Sequence, residues 1–275
     1  MSLLRSLLRS MWRSAVLAGM FVTASTELVV KRPKTRATRA EWLHRFAARA
    51  LKRLGIEASV VGAYPTRGAV ISNHLGYLDI VVFAAIAPCV FVAKDEMESW
   101  PVVGWMATMT GTVFVARGHG GSAMRAKGGM QAAMDAGLPV VFFPEGTTSD
   151  GSTVLKFHSG LLAQALMCGA PVTAASVRYC VVEDNGADVS VARDVCYWGS
   201  AKLVPHVFRL LGLRGVRVEV RFADEPIRFS GDMVHRKLAA VEARAAVVGL
   251  MGQGAGAEKK ATADCTDGRG SKQIP

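Results

Sequence analysis

The sequence predicts an α/β domain built on a single mixed, mainly parallel sheet flanked by helices, with amphipathic helices preceding it. Three observations carry this. From Ile56 onward, short runs rich in valine and isoleucine alternate with helical stretches, the rhythm of strand–helix–strand units. Residues 2–16 instead repeat with a period near four, the spacing of a two-faced helix. The chain has 275 residues, of which 51% are apolar and 20% charged, enough to build a large core and incompatible with a disordered chain.

Taking the elements in order, Leu3, Leu4, Leu7, Leu8, Met11 and Trp12 form one stripe of the first helix, and Arg5, Arg9 and Arg13 another. An apolar face with a basic edge is the pattern of an interfacial membrane helix. Ala15 to Ser25 continues almost wholly apolar, and Glu27 precedes Leu28-Val29-Val30. The 17 residues from Ser14 to Val30 include that acid, so lying in one leaflet is easier than spanning. A signal peptide is the competing reading, with Ala24-Ser25 as its small residues. Against it, the arginines alternate with leucines and do not precede the apolar core as a block.

Lys31, Arg32, Lys34, Arg36 and Arg39 make a basic segment, and Glu41 to Leu54 reads as a helix stopped by Gly55. Its arginines and lysines fit either a solvated helix face or contact with anionic lipid headgroups. The membrane-associating region is thus expected over 1–55, the α/β domain over 56–250 and a disordered tail over 251–275, where hydrophobes nearly vanish. Strands are expected at Ala58–Val61, Ala69–Ser72, Val90–Ala93, Thr112–Ala116, Val140–Phe143, Val172–Tyr179 and Val216–Phe222. Helices are expected at Tyr77–Ala87, Val102–Met109, Ala123–Ala136, Ser159–Met167, Leu203–Leu211 and Met233–Val248.

The net charge of +11 calls for an anionic partner: a membrane surface, phosphorylated small molecules or nucleic acid. Nucleic acid is disfavoured, because no stretch interleaves basic and aromatic residues as a single-strand groove does. Five cysteines, Cys89, Cys168, Cys180, Cys196 and Cys265, show no C-x-x-C spacing and give no zinc site. Four of them lie in apolar surroundings and read as small core residues of a reducing compartment.

The residues with the clearest chemistry are His74 and Asp79, in Ser72-Asn73-His74-Leu75-Gly76-Tyr77-Leu78-Asp79. On one helix, five residues would leave them ~140° apart. They meet if His74 ends the preceding strand and Asp79 sits in the first turn of the following helix, with Gly76 relieving the bend. The carboxylate would then fix the imidazole tautomer and make the other ring nitrogen a base. A polar turn with an aspartate helix start explains the same residues. Arg117, after the strand from Thr112 to Ala116, and Lys94, after Val90 to Ala93, would point into the crevice at the carboxyl ends of the strands. Arg117 suits a phosphate through its planar fork or simply closes a strand at the surface. The exit Phe143-Pro144-Glu145-Gly146-Thr147-Thr148-Ser149 offers glycine, hydroxyls and acid for phosphate and glycerol-like groups.

Together, Asn73-His74-x-x-x-x-Asp79, Gly111-Thr-Val-Phe-Val-Ala-Arg117, Phe143-Pro144-Glu145-Gly146-Thr147-Thr148-Ser149 and an apolar strand opening with Pro171-Val172 resemble the four ordered blocks of the glycerolipid acyltransferases. The resemblance covers roughly residues 40–230, and Lys94-x-Glu96 and Pro101-x-x-Gly104 share it. It implies that His74 deprotonates an acceptor hydroxyl that attacks an acyl thioester, with Asp79 orienting His74. It further implies that Arg117 binds the acceptor's acidic group and that Glu145, Gly146 and Thr147 shape the acceptor site, with Asn73, Lys94 and Thr148 among the substrate-binding positions. Acyl-CoA or acyl-carrier protein would be the donor, a lysolipid the acceptor, and no metal or bound cofactor would be needed. The expected place is the cytoplasmic face of a membrane, monotopic or peripheral. Two positions depart from the pattern: Ala116 stands where an acid often precedes the arginine, and Thr148 where many lysophosphatidate enzymes carry arginine. The leading acceptor is 1-acylglycerol 3-phosphate, and Thr148 makes another lysolipid, such as lyso-ornithine lipid, the alternative.

Readings from other classes fare less well. No Gly-x-Ser-x-Gly elbow or P-loop occurs. Gly118-His119-Gly120-Gly121-Ser122-Ala123 satisfies a loose dinucleotide-binding pattern with Glu145 as ribose ligand, but leaves His74, Asp79 and the amphipathic start unused. A non-catalytic membrane-surface module is the other rival.

Overall fold

A computed structural model describes residues 2–99, 103–116, 122–231, 235–255 and 272–273. Helices α1 (Ser2–Lys31) and α2 (Arg36–Leu54) come first, followed by strands β1 (Ile56–Val61) and β2 (Ala69–Ile71). Then α3 (Tyr77–Ile86), β3 (Val90–Lys94), a 3-10 turn Asp95–Ser99, α4 (Val103–Met109), β4 (Val113–Val115), α5 (Ser122–Asp135) and β5 (Val140–Phe142) alternate. The chain continues through α6 (Ser159–Met167), β6 (Val172–Val181), the short α7 (Val191–Asp194), α8 (Leu203–Gly212), β7 (Val216–Phe222) and α9 (Arg236–Ala255). A two-residue strand, β8 (Lys272–Gln273), pairs antiparallel with β1. Within the expected tail over 251–275, α9 continues to Ala255 and Lys272–Gln273 form β8, and the remaining residues lie outside the described ones.

The sheet order is β4-β3-β5-β2-β6-β7-β1-β8. Strands β4, β3, β5, β2 and β6 run parallel, and β7 pairs antiparallel with β6 and parallel with β1, so the sheet is mixed and mainly parallel as expected. Central strands β2 and β5 are buried at all three residues, because helices cover both faces of the sheet. One core gathers α2, α3 and α8 against the sheet through residues such as Leu51, Val82, Phe83 and Leu211. The other gathers α5, α6 and α9 through Met130, Leu162, Ala165 and Ala243.

Helix α2 has the ends its sequence suggests. The Thr35 hydroxyl accepts from the Thr38 N–H (3.2 Å), the Thr35 N–H donates to the Thr38 hydroxyl (3.3 Å), and Gly55 closes the helix at φ 67°. Among the cysteines, Cys89, Cys168 and Cys196 are free thiols. Cys180 of β6 is buried in the core, as expected of a small residue in apolar surroundings.

Helix α1 is continuous for 30 residues. The acid within it is accommodated: Glu27 binds Lys31 at 2.6 Å one turn on and faces Arg49 of α2 at 3.6 Å. By length and composition Leu3–Lys31 can cross a membrane. Its orientation differs from the expected basic edge toward lipid. Arg9 Nη1 donates to the Gly212 carbonyl (2.7 Å), and Arg13 Nη1 to the carbonyls of Leu213 (2.6 Å) and Leu211 (3.3 Å). The C-terminus of α8 presents unpaired carbonyls and a partial negative charge, which these two cations satisfy. Ser10 is buried beside them, and Ser6 adds a bond to Gly212. Arg9, Ser10 and Arg13 thus pack inward, Arg5 stays exposed, and Leu3, Leu4, Leu7, Leu8, Met11 and Trp12 face outward. An exposed apolar stripe of this extent points to membrane association.

Candidate active site

Strand β2 is buried throughout and ends at Ile71, so Ser72 and Asn73 leave the sheet still inside the core. Asn73 donates from Nδ2 to the Val177 carbonyl (3.0 Å) and accepts the Val177 N–H at Oδ1 (2.8 Å). Its amide thus acts as a peptide-like clasp onto β6. Asn73 is 1% exposed, which places it behind the site and corrects its expected role as a substrate ligand.

His74 follows and is the first residue to reach the surface. Its Nδ1–H donates to Asp79 Oδ2 at 2.7 Å, with the imidazole side chain 17% exposed and the carboxylate 0%. Asp79 sits in the first turn of α3, where the N–H groups of Leu75 (2.6 Å) and Gly76 (3.0 Å) also donate to Oδ2. The aspartate is therefore both the start signal of α3 and the partner of His74, and the two alternatives raised by its sequence are one structure. Gly76 is required for a reason other than the bend. Its backbone is extended, and a Cβ there would lie 3.0 Å from the Cβ and N of Tyr197, whose N–H donates to the Leu75 carbonyl (2.7 Å).

The loop after β5 wraps around this turn. Phe143 stacks on the His74 ring with centroids 4.0 Å apart and planes 8° apart, which opposes rotation of the imidazole about its Cβ–Cγ bond. Glu145 Oε1 accepts the His74 N–H (3.0 Å) and Oε2 the Leu155 N–H (3.2 Å), and Ser149 N–H returns to the His74 carbonyl (3.0 Å). Glu145 is 1% exposed, and burial pushes its carboxyl pKa up against the pull of its two N–H donors. Both oxygens are committed to backbone, so Glu145 shapes the site by bracing it. Replacing it by glutamine sets an amide NH2 against one of the two N–H donors. Glu145→Gln is expected to cost about 1–3 kcal/mol of stability, read as a lowered unfolding midpoint.

Strands β3, β5 and β2 are parallel neighbours, so Lys94, the Glu145 loop and His74 all lie at the carboxyl-terminal edge of the sheet, where open α/β sheets hold ligands. Lys94 is half-buried at the end of β3. Gly146 turns the loop at φ 64°, its N–H donating to the Phe143 carbonyl (3.1 Å), and leaves Thr147 exposed and Thr148 half-buried. Arg117 and most of Gly118–Ala123 lie outside the described residues, so neither the phosphate ligand nor the glycine pattern is placed. The dinucleotide reading nevertheless loses its ribose ligand, because Glu145 is spent on backbone. Among the described residues no group of three or more His, Cys, Asp or Glu side chains is placed to hold a metal ion.

Comparison with known proteins brings this geometry together with the sequence blocks. A family model described as Acyltransferase matches residues 60–178, which span β2 to β6 and hold His74, Asp79 and Glu145. The lyso-ornithine lipid O-acyltransferase of Pseudomonas aeruginosa is 33% identical over 192 residues, covering 69% of this chain and 69% of its own length. The chain belongs to the glycerolipid acyltransferase family. The 1-acyl-sn-glycerol-3-phosphate acyltransferase of Neisseria gonorrhoeae is 37% identical over a shorter stretch, 42% of this chain and 46% of its own. The crystal structure of the 1-acyl-sn-glycerophosphate acyltransferase PlsC from Thermotoga maritima shares the fold, with a TM-score of 0.65 at 19% identity over 92% of this chain and 98% of that one.

Two parts of this acyltransferase's site escaped the sequence reading. Tyr179 of β6 donates its hydroxyl to Asp79 Oδ1 at 2.7 Å. Arg244 of α9 binds the carbonyls of Val154 (2.6 Å from Nη2) and Leu155 (3.0 Å from Nε), holding the far end of the Glu145 loop. The first had a faint signal, since Ala175, Val177 and Tyr179 alternate toward the face that carries α3. The second had none.

Proposed function

We propose that the chain is a membrane-associated O-acyltransferase that moves an acyl group from acyl-CoA or acyl-carrier protein to the free hydroxyl of a lysolipid. The observation that carries this reading is the 2.7 Å bond between a partly exposed His74 and a fully buried Asp79. The bond leaves Nε2 as the nitrogen that accepts a proton. In this reading Nε2 takes the acceptor's hydroxyl proton as its oxygen attacks the thioester carbonyl carbon. The tetrahedral intermediate collapses by breaking the C–S bond, and the departing thiolate takes the proton back from the imidazolium. The ester and a free thiol are the products, and the dyad is unchanged. No bound cofactor or metal enters the scheme, and the cytoplasmic face, where both donors are made, is the side of the membrane it calls for.

For the acceptor we favour lyso-ornithine lipid. The relative of that name matches 69% of this chain, against 42% for the one named for 1-acyl-sn-glycerol-3-phosphate. Thr148 in place of an arginine removes one cation suited to a phosphate dianion. The second reading, 1-acylglycerol 3-phosphate, is favoured by the Gly111-to-Arg117 block, with Arg117 as phosphate ligand. A panel of lysolipids offered with one acyl thioester decides it. Turnover of lyso-ornithine lipid well above that of 1-acylglycerol 3-phosphate is expected, the reverse order selects the second reading, and a flat response overturns both. Repeating the best pair with acyl-CoA and acyl-carrier protein separates the donors.

A further inference from the structure

We propose that Tyr179 is a positioning residue of this acyltransferase, holding the Asp79 carboxylate in the orientation that aims the His74 ring at the acceptor hydroxyl. The inference rests on the reading of His74 as the base. Three donors, His74 Nδ1–H, Leu75 N–H and Gly76 N–H, converge on Oδ2, while the Tyr179 hydroxyl meets Oδ1 at 2.7 Å. Hydrogen bonds stretch, so a carboxylate held at one oxygen alone can tilt as far as those bonds allow, and Oδ2 carries the imidazole with it. The hydroxyl on the second oxygen narrows that tilt. It also draws negative charge toward Oδ1, so Oδ2 orients the Nδ1 proton without pulling it away.

The support is delivered rigidly and from a distance. Tyr179 is 100 residues from Asp79 in sequence and 5% exposed. Its strand is paired on one side with β7, opposite Val218, and clasped two residues earlier by Asn73 at Val177. The dyad turn and its support thus share one fixed reference, β6. Burial, and then the Asp79 charge, push the phenol pKa well above 10, which keeps the hydroxyl protonated and donating wherever the enzyme can be assayed.

The test compares the enzyme with its Tyr179→Phe variant, which keeps the ring and removes the hydroxyl. We expect kcat to fall about tenfold, a share of the ~10²–10⁴ that a positioned base supplies, with both KM values within about twofold. The far-downfield proton resonance of the His74–Asp79 bond, identified by its loss in His74→Ala, should shift. Because phenylalanine leaves one oxygen of a buried carboxylate short of a donor, a second replacement guards against misfolding. Incorporating 3-fluorotyrosine at position 179 keeps the shape, strengthens the donor and should move the same resonance in folded protein. An unmoved resonance, or a kcat within about twofold of wild type, overturns the proposal and leaves Tyr179 a core residue. Turnover that persists in His74→Ala would instead overturn the base assignment itself, whatever Tyr179 does.

Discussion

His74→Ala should lower kcat by about 10²–10⁴-fold while leaving KM for acceptor and thioester within about twofold. The expectation follows from what the imidazole touches. It bonds Asp79, stacks on Phe143, and otherwise faces the open edge of the sheet. Removing it leaves Asp79 with the N–H groups of Leu75 and Gly76 and the hydroxyl of Tyr179, so the buried charge keeps three donors. The unfolding midpoint should therefore move little. That separates the variant from Glu145→Gln, which disturbs the same turn through its backbone and is expected to cost stability first. Residual activity should remain, because positioning of the two substrates does not depend on the imidazole. Thioester consumption at the wild-type rate in His74→Ala would remove the dyad from the mechanism.

The second large effect concerns the membrane. Replacing Leu4, Leu8 and Trp12 by serine should abolish co-flotation with phospholipid vesicles and leave the unfolding midpoint unchanged. These side chains are 64%, 58% and 70% exposed, and the inner face of α1 is held by Ser6, Arg9, Ser10 and Arg13. Each large apolar side chain moved out of water contributes about 1.5–3 kcal/mol, so losing three should weaken partitioning by roughly 10³-fold or more. Turnover of a vesicle-borne lysolipid should fall with binding, while turnover of a water-soluble short-chain acceptor should persist. Unchanged flotation would show that α1 does not carry the attachment. Arg13→Ala makes the contrasting case, since it leaves the outward stripe intact and strips the Leu211 and Leu213 carbonyls of their cation.

These two variants also mark how far the sequence could be read. The strand–helix rhythm located strands β1 to β7 and helices α3 to α6 and α8 to within two residues, because burial on both faces imposes unbroken apolar runs on β2 and β5. It ended α9 seven residues early, at Val248 instead of Ala255, and missed α7 and β8. The His74–Asp79 pairing was legible for a similarly local reason. Both residues belong to one strand–turn–helix unit, and their separation admits few geometries once the strand ends at Ile71. The alternation of Leu and Arg in residues 2–16 established that α1 has two unlike faces.

Only the tertiary structure decided which face meets what. A helical repeat states that leucine and arginine lie on different sides, but not that the carbonyls ending α8, some 200 residues away, would turn Arg9 and Arg13 inward. It likewise decided that Asn73 and Glu145 brace the backbone, since peptide groups as partners leave no mark in a sequence. Tyr179 and Arg244 reach the site from β6 and α9, through contacts 100 and 90 residues long. The sequence by itself determined the family and the fold and brought His74 and Asp79 to one turn, because those are written in local spacing and hydrophobic period. The parts that hold the dyad still, and the direction in which the first helix faces, depend on where distant strands and helix ends come to rest, and long-range packing has no local signature.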